Sequence, residues 1–137
     1  MGLDNGIYIK RFKRDELKKV PKHVNIISQY NSEKDPDSVD LELCYWRKCW
    51  GIRQAIAEII HTDEDNLADG VIAQEDIPEI IHSLIEFLDE EYWNLYADSI
   101  WEYKEMKGAL IAQIINLTWL YSYMENHDIE VEFYDSY

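Results

Sequence analysis

The chain of 137 residues carries 28 Asp and Glu against 13 Lys and Arg, a formal net charge of −15. Nucleic acids and anionic membrane surfaces attract Lys and Arg, so this balance argues against direct binding to either. The length fits a single compact domain over residues 1–137, and hydrophobic residues at 47% with aromatics at 13% supply a core, which argues against disorder.

The first half of the chain begins with two predicted strands. Gly6–Phe12 alternates, with Ile7 and Ile9 on one face and Tyr8 and Phe12 on the other. Residues 39–46 alternate more clearly still, which predicts a second strand after a loop over residues 31–38. Its predicted faces are Val39, Leu41, Leu43 and Tyr45 against Asp40, Glu42, Cys44 and Trp46.

From Trp46 onward the apolar spacing becomes helical, which predicts a first helix with its apolar side at Cys49, Ile52, Ile56, Ile59 and Ile60. An acidic loop over residues 62–70 follows. A second helix is predicted after Asp76, which occupies a capping position, with Pro78 in the first turn.

The second helix is followed by an aromatic connection containing Tyr92, Trp93 and Tyr96. Asp98 or Ser99 is then the predicted cap of a long third helix.

This third helix has apolar residues on two sides. One side repeats at near-heptad spacing from Tyr103 to Met124, and Ile111, Ile115 and Trp119 form a second apolar face. We therefore expect the helix to be covered on two sides. The alternation of residues 128–134 predicts a closing strand.

These elements predict an α+β fold, in which a small antiparallel or mixed sheet of about three strands packs against about three helices. The closing strand is expected to pair with one of the first two. No repeat or linker divides the chain.

An aromatic and basic cluster lies where the second strand passes into the first helix. Rings and guanidinium groups together can stack on a base and neutralise phosphate, which predicts a small-nucleotide site. The same residue types are enriched in protein-binding hot spots, and aromatic rings are equally common in cores. The cluster consists of Tyr45, Trp46, Arg47, Lys48 and Arg53.

A family resemblance rests on two short motifs, MGLD at residues 1–4 and YWRK at residues 45–48, the latter entering a helix. Together with the aromatic-rich helices, they resemble a family of small uncharacterised phage and prophage proteins. The resemblance implies a virus-encoded accessory protein acting inside a bacterium, and it brings no catalytic residues with it.

The charge is divided by position. Residues 1–61 hold 11 basic and 9 acidic side chains, whereas residues 62–137 hold 2 and 19. Rows of carboxylates can imitate the phosphates that a nucleic-acid-binding protein expects, although such rows are also ordinary solvated faces. The predicted acidic surface consists of Glu75, Glu79, Glu86, Glu90, Asp98, Glu102, Glu105, Glu130 and Glu132.

Signatures of catalysis, metal binding and membrane insertion are missing from the sequence. The histidines neighbour no nucleophile in a recognisable motif, so we expect no enzyme and no cofactor. Cys44 and Cys49, with His61, lack zinc-knuckle spacing and are interpreted as buried thiols. Residues 109–120 are too short and too polar to span a membrane, and residues 1–10 do not read as a signal peptide.

We therefore expect a cytoplasmic, non-enzymatic protein that binds and inhibits a basic host protein through its acidic half. A defence nuclease or another nucleic-acid-binding factor is the natural target. A small-nucleotide binder is the alternative, and the aromatic content also allows a homodimer.

Overall fold

A computed structural model describes residues 4–27, 37–60 and 70–136. His61, the predicted acidic loop over 62–70 except its last residue Gly70, and most of the loop over 31–38 lie outside these residues. The described strands and α-helices, in chain order, are β1 Asp4–Lys13, β2 Asn25–Ile27, β3 Ser38–Arg47, α1 Trp50–Ile59, β4 Gly70–Val71, α2 Ile77–Phe87, α3 Glu90–Tyr96, α4 Tyr103–Met124 and β5 Glu130–Ser136. Two short 3-10 helices span Arg14–Lys19 and Gln74–Asp76.

The fold is α+β, with a five-stranded antiparallel sheet in the order β2-β3-β1-β5-β4. The three strands predicted from alternation are the three long central ones. The closing strand β5 pairs with β1, as expected. The prediction of about three strands was too low because β2 and β4, with three and two residues, are too short to show an alternation.

Two β-bulges interrupt the pairing of β1 with β3. Lys10 and Arg11 together oppose Asp40, and Arg11 adopts a left-handed backbone conformation with φ 56°. On β3 the extra residue is Leu43, because Ile7 pairs with Cys44 while Tyr8 pairs with Glu42. Each bulge shifts the strand by one residue, which exchanges the faces of all following side chains.

The predicted faces are therefore wrong beyond each bulge. Phe12 is buried with Ile7 and Ile9, although simple alternation puts it on the other face. On β3, Trp46 is buried at 1% exposure while Tyr45 is 44% exposed, the reverse of the predicted arrangement for these two rings.

One face of the sheet packs against the helices. The core joins sheet residues such as Ile9 and Leu41 to Ile52 of α1, Leu84 of α2 and Leu117 of α4. Two buried side-chain amides of α4 also form hydrogen bonds with residues of β3 near its bulge. Asn116 Nδ2 donates to the Leu43 carbonyl at 2.8 Å, and Gln113 Oε1 accepts from the Trp46 indole at 2.8 Å.

A buried ion pair fastens the last strand to α1. Arg53 Nη2 lies 2.9 Å from Asp135 Oδ2, and its Nε donates to both carboxylate oxygens at 3.0 Å. Asn5 Nδ2 of β1 donates to the same carboxylate. The three residues link α1, β1 and β5 in the interior, where a charge requires a partner.

The segment between α2 and α4 differs most from the prediction. The residues interpreted as an aromatic connection form α3, whose N-cap Asp89 accepts from the backbone N of Tyr92 at 2.9 Å. Neither Asp98 nor Ser99 caps α4, because that helix begins at Tyr103 with Glu102 at the N-cap. Asp76 is the N-cap residue of α2, but its carboxylate makes no capping hydrogen bond to that helix. It accepts from the backbone N of Ala73 at 2.9 Å instead.

Candidate protein-binding surface

The described structure brings three of the predicted acidic residues together. Glu90 at the start of α3, Asp98 in the following loop and Glu102 at the N-cap of α4 line one depression of about 580 Å³. The depression also contains Ile100 and Trp101. Because α3 and α4 are joined by only six residues, the two helix beginnings and the loop between them converge there.

Large apolar side chains are exposed beside these carboxylates. Leu95 and Ile100 are each 66% exposed, and Trp101 is 37% exposed. Leu95 lines a neighbouring depression together with Glu90. Soluble domains rarely leave several large apolar groups together in water unless a ligand or partner covers them. We call Glu90, Leu95, Asp98, Ile100, Trp101 and Glu102 the α3–α4 surface.

The α3–α4 surface is held rigidly on the start of α1. The backbone N of Gly51 donates to the carbonyl of Ala97 at 2.8 Å, and that of Trp50 donates to Asp98 at 3.3 Å. A Cβ atom added to Gly51 would lie 2.0 Å from the Tyr96 carbonyl, so glycine permits this close approach. Cys49 and Ser99 form an isolated β-bridge next to it.

Trp101 is fixed by three hydrogen bonds although its ring is partly exposed, one of them from its backbone N to Ser99 Oγ at 3.0 Å. Its indole Nε1 donates to the Arg47 carbonyl at 3.0 Å, and its own carbonyl accepts from Trp93 Nε1 at 3.1 Å. An exposed aromatic group that is already ordered loses little conformational entropy on binding, which suits a contact residue.

The carboxylates of this surface are little neutralised. Within the described residues, Glu102 has an exposed ion pair with Lys104 at 3.6 Å, while Glu90 and Asp98 have none. Exposed pairs of this kind contribute little stability and leave most of the field in place. The α3–α4 surface therefore combines negative potential with ordered and apolar contact groups.

The remaining acidic residues of the prediction are divided between two sides of the molecule. Glu75, Glu79, Glu86 and Glu105 are exposed on and beside α2 and α4, where Glu86 lies 3.9 Å from His82. Glu130 and Glu132 lie on the sheet face opposite the helices, because the intervening Val131 is buried in the core. The nine residues therefore lie on more than one side of the molecule, and the binding role predicted for them stays a prediction.

The face of the sheet opposite the helices forms a trough of about 760 Å³ lined by Tyr8, Lys10, Glu130, Glu132 and Tyr134, among others. Its central groups bind one another. Tyr8 donates to Glu42 at 3.3 Å. The pKa of Tyr8 is raised well above its usual range, chiefly because the side chain is buried and in addition because this carboxylate is negative. Lys10 lies 3.6 Å from Asp40 and 5.7 Å from the centre of the Tyr8 ring. The trough is thus a weaker candidate, although it is the larger concavity.

The structure does not bring the aromatic and basic cluster together as a nucleotide site. Trp46 and Arg53 are buried at 1% and 5% exposure, and both are engaged by core partners. Tyr45 donates to Asp4 at 2.8 Å, and Arg47 lies 4.0 Å from the same carboxylate. Lys48 adopts a left-handed backbone conformation at the turn into α1. A ring and a guanidinium of the proposed site, Trp46 and Arg53, are therefore core groups, and nucleotide binding by the cluster stays a prediction.

Both cysteines are buried, as interpreted from the sequence. Burial raises the pKa of the Cys44 thiol well above its usual range and raises that of Cys49 as well. Cys49 Sγ lies 3.2 Å from Ser99 Oγ. Within residues 4–27, 37–60 and 70–136, no three His, Cys, Asp or Glu side chains are grouped closely enough to hold a metal ion.

Sequence reasoning found the acidic residues of the α3–α4 surface but missed its apolar members. The available signal was Asp89 followed by Tyr92, Leu95 and Tyr96, the spacing of a capped helix with a mixed face. None of the described helices is both long enough and apolar enough to cross a bilayer. Comparison of the chain with family models, with characterised proteins and with solved structures gives no match.

Proposed function

We propose that this chain is a non-enzymatic phage accessory protein, acting inside the bacterial host cell, that binds a basic host protein through the α3–α4 surface. The observation that carries the proposal is the exposure of Leu95, Ile100 and Trp101 beside the unneutralised carboxylates of Glu90 and Asp98. The phage origin rests on the resemblance of residues 1–4 and 45–48.

The two kinds of group have different roles in this proposal. Carboxylates attract a basic partner over the Debye screening length, which is about 8 Å at physiological ionic strength. This attraction raises the association rate. Apolar and aromatic groups, once covered, slow dissociation and supply most of the affinity. The natural target is a nuclease or another nucleic-acid-binding factor whose basic channel normally holds phosphates, so that binding inhibits it.

A charge-reversal experiment tests the proposal. Purified protein captures partners from bacterial lysate, and the triple variant Glu90→Lys, Asp98→Lys and Glu102→Lys is expected to lose a basic partner that the parent retains. The matched control is Glu58→Lys, Asp128→Lys and Glu130→Lys, which changes net charge equally at exposed positions outside the α3–α4 surface. The control is expected to retain the partner.

Salt and apolar variants complete this test. Raising the salt concentration should weaken capture by the parent, and Ile100→Ser should weaken it about fivefold or more, since a contact at a binding hot spot contributes over about 1 kcal/mol. If both triple variants lose the partner equally, the loss is caused by the change in net charge and not by the α3–α4 surface. Capture that persists in the first triple variant would rule out the α3–α4 surface.

A further inference from the structure

The α4 helix has an uncovered outward face. Ile111 and Ile115 are 43% and 46% exposed, although the sequence predicts a second apolar face that is covered. With a period of 3.6 residues, these two residues share one side of the helix with Lys104, Lys107 and Thr118, all exposed. The opposite side holds the buried residues of α4. We call Lys104, Lys107, Gly108, Ile111, Ile115 and Thr118 the outward strip of α4.

Three charged residues of α4 and its C-cap are placed against the helix dipole, whereas Glu102 at the N-cap and Glu105 in the first turn are placed with it. Lys104 and Lys107 are the two basic residues of the acidic half, and both lie near the helix N-terminus, where positive charge is unfavourable. Glu125 lies at the C-cap, where negative charge is unfavourable. Within the chain they have exposed contacts, Lys104 with Glu102 at 3.6 Å and Glu125 with the side-chain amide of Gln74 at 2.8 Å.

Gly108 has no evident role in the isolated chain. It lies inside α4, where glycine costs about 1 kcal/mol relative to alanine. A Cβ atom added there meets nothing within 4 Å, so neither close packing nor a left-handed conformation explains the residue. It leaves a shallow gap on the outward strip next to Ile111.

We propose that the outward strip of α4 pairs with the outward strip of a second copy of this chain, with the two helices antiparallel about a two-fold axis. A register centred between residues 114 and 115 places Lys104 of each copy opposite Glu125 of the other, and Ile111 opposite Thr118. The interface is isologous, so each contact occurs twice.

The antiparallel pairing brings Lys104 and Lys107, near the N-terminus of one α4 helix, to Glu125 at the C-terminus of the other. Each lysine pair moves next to the C-terminus of the other helix, and each Glu125 moves next to an N-terminus. Residues 104 and 125 are about 31 Å apart along the axis, so both ends meet only if the helices cross at a shallow angle of about 20°, as in four-helix bundles. A second copy fits this face because Lys104 lies near one end of the strip and Glu125 lies just beyond the other end, so an antiparallel copy places each opposite the other.

Analytical ultracentrifugation over a concentration series at physiological salt tests the pairing. The parent is expected to dimerise. Lys104→Glu and Glu125→Lys should each weaken dimerisation at least about tenfold, because each places like charges opposite one another twice. The double variant, which restores opposite charges in reversed order, should recover most of the parent affinity. Lys22→Glu, an exposed change outside the strip, is the control for net charge.

A steric variant tests the strip without changing charge. Gly108→Leu adds a side chain into open space, so circular dichroism and thermal unfolding of the monomer should stay near those of the parent while dimerisation is lost. A parent that stays monomeric overturns the proposal. A dimer that survives both Gly108→Leu and Lys104→Glu also overturns it, because the copies then meet elsewhere. Lys104 also lines the depression of the α3–α4 surface, whereas Gly108 and Glu125 do not. Loss of dimerisation in Gly108→Leu and Glu125→Lys with retained partner capture therefore separates the two proposals.

Discussion

Removing the carboxylate of Asp135 takes away the anion that the buried Arg53 guanidinium contacts and should therefore destabilise the fold severely. In Asp135→Ala, Arg53 loses the oxygens that its Nη2 and Nε contact at 2.9 and 3.0 Å, and Asn5 loses an acceptor. The Arg53 side chain is 6% exposed, so water cannot replace the carboxylate without opening the core. Breaking a buried pair from one side costs about 3–5 kcal/mol.

The expected loss in Asp135→Ala is a large part of the free energy of unfolding of a typical domain. An unpaired Asn5 amide adds about 1 kcal/mol, for a total of about 4–6 kcal/mol against a typical 5–15 kcal/mol. Urea unfolding followed by far-UV circular dichroism measures the loss. With a denaturant slope of about 2 kcal/mol per molar, the midpoint should fall by about 2–3 M.

The double variant Arg53→Met with Asp135→Leu shows whether the contributions of these two residues to the free energy of unfolding are coupled or independent. Replacing both charges by apolar groups of similar size is often neutral, so we expect the double variant to be much more stable than Asp135→Ala. Arg53→Met alone should be destabilised like Asp135→Ala, because it leaves the carboxylate buried. Additive losses in the double variant, or a loss below about 1 kcal/mol for Asp135→Ala, would refute the reasoning.

Three further changes have defined outcomes. Gly51→Ala should cost about 1–3 kcal/mol in urea unfolding, because its Cβ meets the Tyr96 carbonyl and the backbone must shift. Asn116→Ala should cost about 1–3 kcal/mol in the same assay, because it leaves the buried carbonyl of the β3 bulge without its donor at 2.8 Å. Lys19 lowers the pKa of Glu16 below 4.5, so the stability that Glu16 contributes is present above pH 4.5 and lost as pH falls through the lowered pKa. Glu16→Gln should therefore melt at a lower temperature than the parent at neutral pH and converge with it in acid.

The sequence predicted those elements whose pattern extends over many residues. The strands predicted over 6–12, 39–46 and 128–134 correspond to β1, β3 and β5, and the three helices predicted from apolar periodicity correspond to α1, α2 and α4. Periodicity identifies them because each buries one face, and the burial of apolar surface is the main driving force of folding. The order of strands was predictable only in part, since β5 was expected beside one of the first two.

The bulges were not predictable because they leave no mark in the hydrophobic pattern. In β3 both Leu43 and Cys44 are apolar, so an uninterrupted alternation is equally consistent with the sequence. The bulge carbonyl is satisfied by Asn116, which is 73 residues away in the chain. Position in sequence alone cannot reveal such a partner.

The site was predicted only in its acidic members for a similar reason. Carboxylates are so frequent in the second half of the chain that their grouping depends on how α3 and α4 are placed. The apolar members stand out only after the structure shows that Leu95 and Ile100 are not used by the core.

The bulge in β3 and the α3–α4 surface are physically connected. Because Leu43 is the extra residue, Trp46 turns into the core and Arg47 comes to lie at the rim, where its carbonyl accepts the indole N–H of Trp101 at 3.0 Å. Loss of the Asn116 donor should therefore loosen Trp101 as well as the strand. The contribution of Trp101 to the fluorescence is the difference between each protein and the same protein with Trp101→Phe, and in Asn116→Ala it should shift toward the spectrum of a solvated indole. An unshifted spectrum in a variant that is measurably destabilised would show that the surface is held by the α1 junction alone.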